Sequence, residues 1–308
     1  MLGVRPGIRR PLRRPRPSDH SGLCRPEAHP TSLLHGAVRI YPIYIAALLA
    51  AFVSWGLFKG DWNLNPSQLF GNLFMLQDYY DGKPGILVDT YKDNYPLWSL
   101  AYEWWFYLLY PAFRLRPRAG TEIGVISFVS IALYLAFPFG PFLYLGYFAV
   151  WWAGVSLARE WRDTGSLSLR GQKISLISIA APGILFIGAT LRAPRPIVIN
   201  VHPALEIRHF VAGVLLIVLA VAAFRGGWHR KFKAITDPLA AIGSVSYALY
   251  VLHVPFVVSS FNRSIPQLLV RVALLVVVCI LLERVLQPWL SKRLNPRSTP
   301  KIDELSPP

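Results

Sequence analysis

Residues 97–111 read LWSLAYEWWFYLLYP, and residues 243–255 read GSVSYALYVLHVP. Each stretch is apolar enough to enter a bilayer, and each carries one ionisable side chain, Glu103 in the first and His253 in the second. Ionisable groups at membrane depth are costly, and they are kept where they serve a site. The pair points to chemistry carried out within a membrane.

Composition outside these stretches agrees. Of 308 residues, 54% are hydrophobic and only 16% are charged, with a mean hydropathy of +0.40, a balance that a water-soluble globule of this size does not show. The net charge of +16 would ordinarily indicate nucleic acid. Here the basic residues fall in short clusters between apolar runs rather than on one continuous face, so membrane topology accounts for them and no nucleic-acid partner is expected. Cys24 and Cys279 fit neither a disulfide framework nor a thiolate metal site.

About eight segments approach the length needed to cross roughly 30 Å of hydrocarbon: 38–58, 97–113, 123–139, 141–158, 174–191, 208–224, 238–258 and 267–287. Backbone groups in lipid must be satisfied internally, which selects helices, and the alternating pattern of a membrane barrel is absent. The expected fold is all-α, a polytopic transmembrane bundle spanning residues 38–293. Lysine and arginine cluster at 114–118, 159–173, 225–233 and 292–301, which puts these loops and both termini in the cytoplasm. The long 59–96 segment carries Asp61, Asp78, Asp81, Asp89 and Asp93 against Lys59, Lys83 and Lys92, and belongs outside. Its apolar piece, 69–80, is too short to span and lies at the outer surface or re-enters the membrane. Residues 1–37, rich in Arg and Pro, and 294–308 are expected to be disordered tails.

Four stretches in order, VRIYPIY at 38–44, LWSLAYEWWFYLLYP, IGSVSYALYVLHVPF and LLERVLQPW, resemble the landmarks of the bacterial acyltransferase 3 family. The resemblance implies an integral enzyme of the bacterial cytoplasmic membrane, multi-pass, that moves an acyl group, acetyl above all, from a cytoplasmic acyl-CoA to a hydroxyl of an extracytoplasmic carbohydrate such as an O-antigen or exopolysaccharide. Acyl-CoA is then a donor substrate with no bound cofactor, and the partners are the glycan acceptor and membrane lipids. Members of the family usually begin with two further helices, the first bearing a catalytic His. Neither has a counterpart here, and the expectation is a chain truncated or frame-shifted at its amino terminus. Arg39 fits the second Arg of the family's R-x-x-R-I landmark, while Gly36 stands in place of the first.

Each candidate residue has a structural reading beside its functional one. Glu103, placed near the outer end of its helix by the charge alternation, is either a partly desolvated carboxylate suited to proton transfer or the partner of an Arg on another helix. The resemblance favours a catalytic role, although Trp104 stands where the family often has a second acidic residue. His253 shares neighbouring helix faces with Tyr247 and Tyr250. A lone His in an apolar helix is more often a hydrogen-bonded core residue, but imidazole also accepts and returns protons near neutral pH, and the resemblance makes it a site member. Arg39 either snorkels to head groups or, as the resemblance implies, holds donor phosphates. Trp98, Ser99 and Tyr107 match the family's W-S-L and F-Y positions, and serve as interfacial aromatics or as substrate contacts. His202, Glu206 and His209 match no closed zinc ligand pattern and are expected to be surface residues, with no metal bound. No phosphate loop, dinucleotide fingerprint or serine nucleophile elbow is present, so the donor brings its own activated acyl group. A secondary transporter or glycan flippase is the alternative from another class, and an inactive remnant of an acyltransferase is a third.

Overall fold

The computed structural model describes residues 31–79, 83–193, 202–228, 243–258 and 264–294, with side chains from residue 36 onward. Most of both predicted tails therefore lies outside the described residues. The first helix, α1 (Thr31–Lys59), already runs through residues 31–37, ahead of the boundary drawn at 38. It is followed by a short α2 (Pro66–Leu73), then α3 (Leu97–Phe113), α4 (Ala119–Ala136), α5 (Gly140–Thr164), α6 (Lys173–Arg192) and α7 (Ala204–Arg225). The chain resumes in α8 (Ser246–Phe256) and α9 (Ile265–Leu281), which continues through a π turn (Leu282–Leu286) into α10 (Gln287–Leu294). The protein is an all-α, polytopic helix bundle.

Among the described residues, six helices are long and apolar enough to cross a membrane: Gly36–Lys59, α4, α5, α6, α7 and Ile265–Leu294. Two of the segments expected to span fall short. Helix α3 has the expected bounds but only 17 residues. The 238–258 segment keeps an 11-residue helix, about 16 Å long at 1.5 Å per residue, while residues 238–242 lie outside the described residues.

Helix α3 is the wall between two apolar cores, because its buried residues point both ways. Tyr102, Phe106 and Phe113 join one core with α4, α5, α6 and α7. Leu97, Leu100 and Ala101 join another with α1, α8 and α9. In the first core, glycines let helices approach closely, as small residues do in membrane bundles. A methyl added at Gly124 would meet Ser178, and one at Gly146 would meet Ile131. By contrast Ile265–Leu294 has only 11% of its apolar window buried, so most of its surface is left to face lipid.

The 69–80 stretch, expected at the outer surface or re-entering the membrane, is two-sided: Phe70 and Phe74 are exposed, whereas Asn72 and residues 75, 77 and 78 are buried. Helix α2 ends in a tight turn at Met75, whose φ of 55° is a left-handed conformation rarely adopted outside glycine, and the chain then drops between α1 and α3. Met75, Asn72 and Gln77 are wholly buried. The helices around the insertion meet several of its polar groups: Tyr44 donates to the Asn72 carbonyl at 2.9 Å, Trp105 Nε1 to the Met75 carbonyl at 2.8 Å, and Gln77 Nε2 to the Leu97 carbonyl at 2.8 Å, while Gln77 Oε1 is buried without a partner. These bonds explain how a non-helical segment survives inside the bundle. Past it, residues Gln77–Asp78 (β1) and Val88–Asp89 (β2) form a minimal parallel pair.

Candidate functional site

Helix α3 carries the chemistry because its i, i+4 rows face different spaces. Ser99, Glu103 and Tyr107 form one row; Trp98, Tyr102 and Phe106 form the next. Glu103 and Tyr107 of the first row open on a cavity of about 730 Å³ lined also by Arg39, Arg159, Arg162 and Tyr247, among others. Its volume falls within the range of ordinary ligand sites. Glu103 is exposed to this space and accepts a hydrogen bond from the Tyr107 hydroxyl at 2.8 Å. The carboxylate is not isolated, since Tyr107 supplies a partner one turn along, and among the described residues no Arg of another helix lies within ion-pair distance of it.

The lining of the cavity is also cationic. Arg39 is exposed, and among the described residues no carboxylate lies within ion-pair distance of it. Arg159 stacks on Trp152 at 4.8 Å and donates to the Arg114 carbonyl at 2.7 Å, which fixes its guanidinium near the mouth. Tyr247 donates to the Ile40 carbonyl at 3.0 Å, pinning α8 to α1 beside Arg39. Four residues singled out in the sequence, Arg39, Glu103, Tyr107 and Tyr247, are thereby brought to one cavity.

Ser99, Tyr250 and His253 form a separate cluster on the α3–α8 seam and do not line that cavity. The Ser99 and Tyr250 hydroxyls are 2.7 Å apart. His253 Nδ1 lies 2.8 Å from the Tyr250 carbonyl oxygen; a carbonyl only accepts, so Nδ1 is the donor in this contact.

Trp98 lies elsewhere again. It lines a second cavity, of about 340 Å³, together with Asp78, Lys83, Tyr147, Glu206 and His209. Here charges are buried and paired. Lys83 Nζ is 2.9 Å from Asp78 and 3.7 Å from Glu206, with side-chain exposures of 8%, 2% and 14% respectively. The Tyr102 hydroxyl donates to Asp78 at 2.7 Å, and the Tyr147 hydroxyl donates to Glu206. The expectation that Glu206 and His202 are surface residues is overturned, since Glu206 sits in this network and His202 is 8% exposed. The reason is the folded-back 59–96 segment, which brings Asp78 and Lys83 over the start of α7. Nothing in the sequence sets Lys83 apart from Lys59 and Lys92 in the same segment. No group of three or more His, Cys, Asp or Glu residues suited to a metal ion occurs among the described residues.

Aromatic rings fill the space between the two cavities. Trp98, Tyr102, Phe106 and Trp151 touch in sequence, with ring centroids 5.5, 6.3 and 5.9 Å apart. Trp98 lines the smaller cavity and Trp151 the larger.

Comparison with known proteins gives one family. A model of the acyltransferase 3 family, described as an acyltransferase domain, matches residues 23–283. No curated protein matches, nor does any solved structure.

Proposed function

This chain belongs to the acyltransferase 3 family, a multi-pass membrane acyltransferase in general, and from that premise we propose that it moves an acetyl or similar acyl group from cytoplasmic acyl-CoA to a carbohydrate hydroxyl on the far side of the bacterial inner membrane. The observation that carries the reading is the larger cavity, whose lining brings three arginines and an exposed carboxylate together. The basic loops beside it are the ones that lysine and arginine counts assign to the cytoplasm.

The donor's phosphates suit the arginines. A guanidinium presents a planar fork to phosphate oxygens and stays charged at any physiological pH, and Arg39 has no competing carboxylate within ion-pair distance among the described residues. The acyl thioester then extends toward Glu103 along walls of Trp104, Tyr107 and Trp151.

Transfer requires a proton to leave the acceptor hydroxyl as its oxygen attacks the thioester carbonyl. Glu103 accepts that proton, with Tyr107 holding the carboxylate oriented through its hydroxyl. The tetrahedral intermediate collapses by breaking the carbon–sulfur bond, and the proton passes to the departing thiolate, giving ester and free CoA. Hydroxyl donors at the seam, Ser99 and Tyr250, and His253 Nε2 are the further groups available to a substrate entering from the α8 side.

Arg39→Ala tests the donor assignment. Loss of a charge-assisted bond is worth about 1.5–3 kcal/mol, so the apparent KM for acetyl-CoA should rise roughly tenfold or more, and Arg39→Lys should recover only part of it. An unchanged donor KM would refute the role given to Arg39.

A further inference from the structure

The smaller cavity has been described only as a network of buried charge. Its hydrogen-bonding capacity is spent unevenly. Asp78 is saturated: Oδ1 accepts from the Tyr79 backbone N–H at 2.7 Å, and Oδ2 accepts from Lys83 and from Tyr102. Glu206 is not. Its Oε2 takes the Tyr147 hydroxyl, whereas Oε1 has Lys83 at 3.7 Å as its contact, beyond hydrogen-bonding distance.

Two further groups in the cavity lining keep polar atoms available. His209 Nδ1 is committed, 3.2 Å from the Tyr147 hydroxyl and 3.6 Å from Glu206 Oε2, whereas Nε2 makes no hydrogen bond or ion pair among the described residues. Arg208 lines the cavity, is exposed, and makes no ion pair or hydrogen bond among the described residues. Trp98 supplies an aromatic wall, its ring 6.2 Å from that of His209.

Burying an ion-pair network costs stability relative to apolar packing unless its geometry is used. In this cavity the network holds one acceptor oxygen, one imidazole nitrogen and one guanidinium fork around an aromatic wall. We propose that this cavity is a saccharide-binding site, taking one hydroxylated sugar ring of the acceptor between Trp98, Glu206, Arg208 and His209. Glu206 Oε1 accepts a ring hydroxyl, Arg208 donates to ring or glycosidic oxygens, and Trp98 packs on the apolar face of the ring. The volume of about 340 Å³ suits a single sugar unit rather than a chain, so the site would hold one residue of a longer glycan, remote from the residue that is acylated. This rests on the proposed carbohydrate acceptor.

The test uses the full chain in lipid nanodiscs, labelled acetyl-CoA, and tetrasaccharides of glucose, rhamnose and N-acetylglucosamine as acceptors. For whichever tetrasaccharide is acylated, Arg208→Gln and Glu206→Gln should each raise the acceptor KM about tenfold, the loss of one charge-assisted bond, while the donor KM stays within twofold. Arg208 is exposed, so its variant reports on binding even if Glu206→Gln fails to fold. Acylation by the wild type with an unchanged acceptor KM in Arg208→Gln overturns the site and leaves the proposed function standing. If the wild type acylates none of the three, the carbohydrate reading itself falls, and this site with it.

Discussion

The two cavities on either side of helix α3 use charge in opposite ways. In the larger one Arg39 and Glu103 are exposed, and Arg39 has no carboxylate within ion-pair distance among the described residues. In the smaller one Asp78, Lys83 and Glu206 are largely buried and already paired, one lysine between two carboxylates. Exposed charges are cheap to leave in water and free to meet a charged ligand. Paired ones are dear to break and shape a fixed polar surface. Substitutions in the first should therefore damage activity and spare the fold, and substitutions in the second should damage the fold first.

The largest expected effect is on catalysis at Glu103. Glu103→Gln keeps the shape and the capacity to accept from Tyr107 but removes the base, so turnover should fall by about 10² to 10⁴. Melting temperature in detergent should stay near that of the wild type, because the side chain is exposed. A variant that lost stability instead would erase the contrast between the two cavities.

Lys83→Met is the converse. It leaves two carboxylates facing each other in a buried site, and should cost roughly 3–5 kcal/mol, the range measured when one partner of a buried pair is removed. Thermal unfolding of the solubilised protein reads this directly, and Lys83→Arg should recover most of it. Lys83→Met melting like the wild type would show that the network is solvated.

A smaller effect belongs to the loop between the cavities and solvent. Burial, and then the neighbouring charge of Asp93, hold the Asp89 carboxyl above the usual carboxylate range, and its Oδ1 is buried without a partner. The native state thus holds that proton more tightly than the unfolded chain, so stability should decline as pH rises from about 4 through the raised value. Asp89→Asn should flatten that slope and add a few tenths of a kcal/mol at neutral pH, solvent screening keeping the gain small. Asp61, whose carboxyl is lowered by bonds from the Asn63 backbone and from Lys92, acts in the opposite sense and is common to both proteins, so their difference isolates Asp89.

Much of the bundle was legible in hydropathy alone. Helix α3 begins and ends at the residues its apolar run marks, and α4 to α7 fall where the spans were drawn. The insertion at 69–80 was not resolvable from sequence, because its fate is decided by partners such as Tyr44 and Trp105, which lie 28 and 30 residues from the groups they bond. The same limit applies to the sites. Glu103 and Tyr107 are four residues apart, so helical periodicity pairs them. Lys83 and Glu206 are far apart in the chain, and each looks like an ordinary loop or helix-start charge until the fold brings them together. Trp98 and Glu103 sit on one short helix and read as members of one site, yet they face different cavities. A linear motif does not record on which side of a helix its members act.

The central claim is that acyl-CoA occupies the arginine-lined cavity with its thioester near Glu103. A photoactivatable acyl-CoA carrying its reactive group on the acyl chain, irradiated with the full chain in nanodiscs and mapped by mass spectrometry, tests this without requiring turnover. Label should appear on residues 103–111 and 151–162, should be displaced by excess CoA thioester, and should drop in Arg39→Ala. Label confined to residues 78–98 and 206–209, or label that CoA thioester does not displace, would contradict the account.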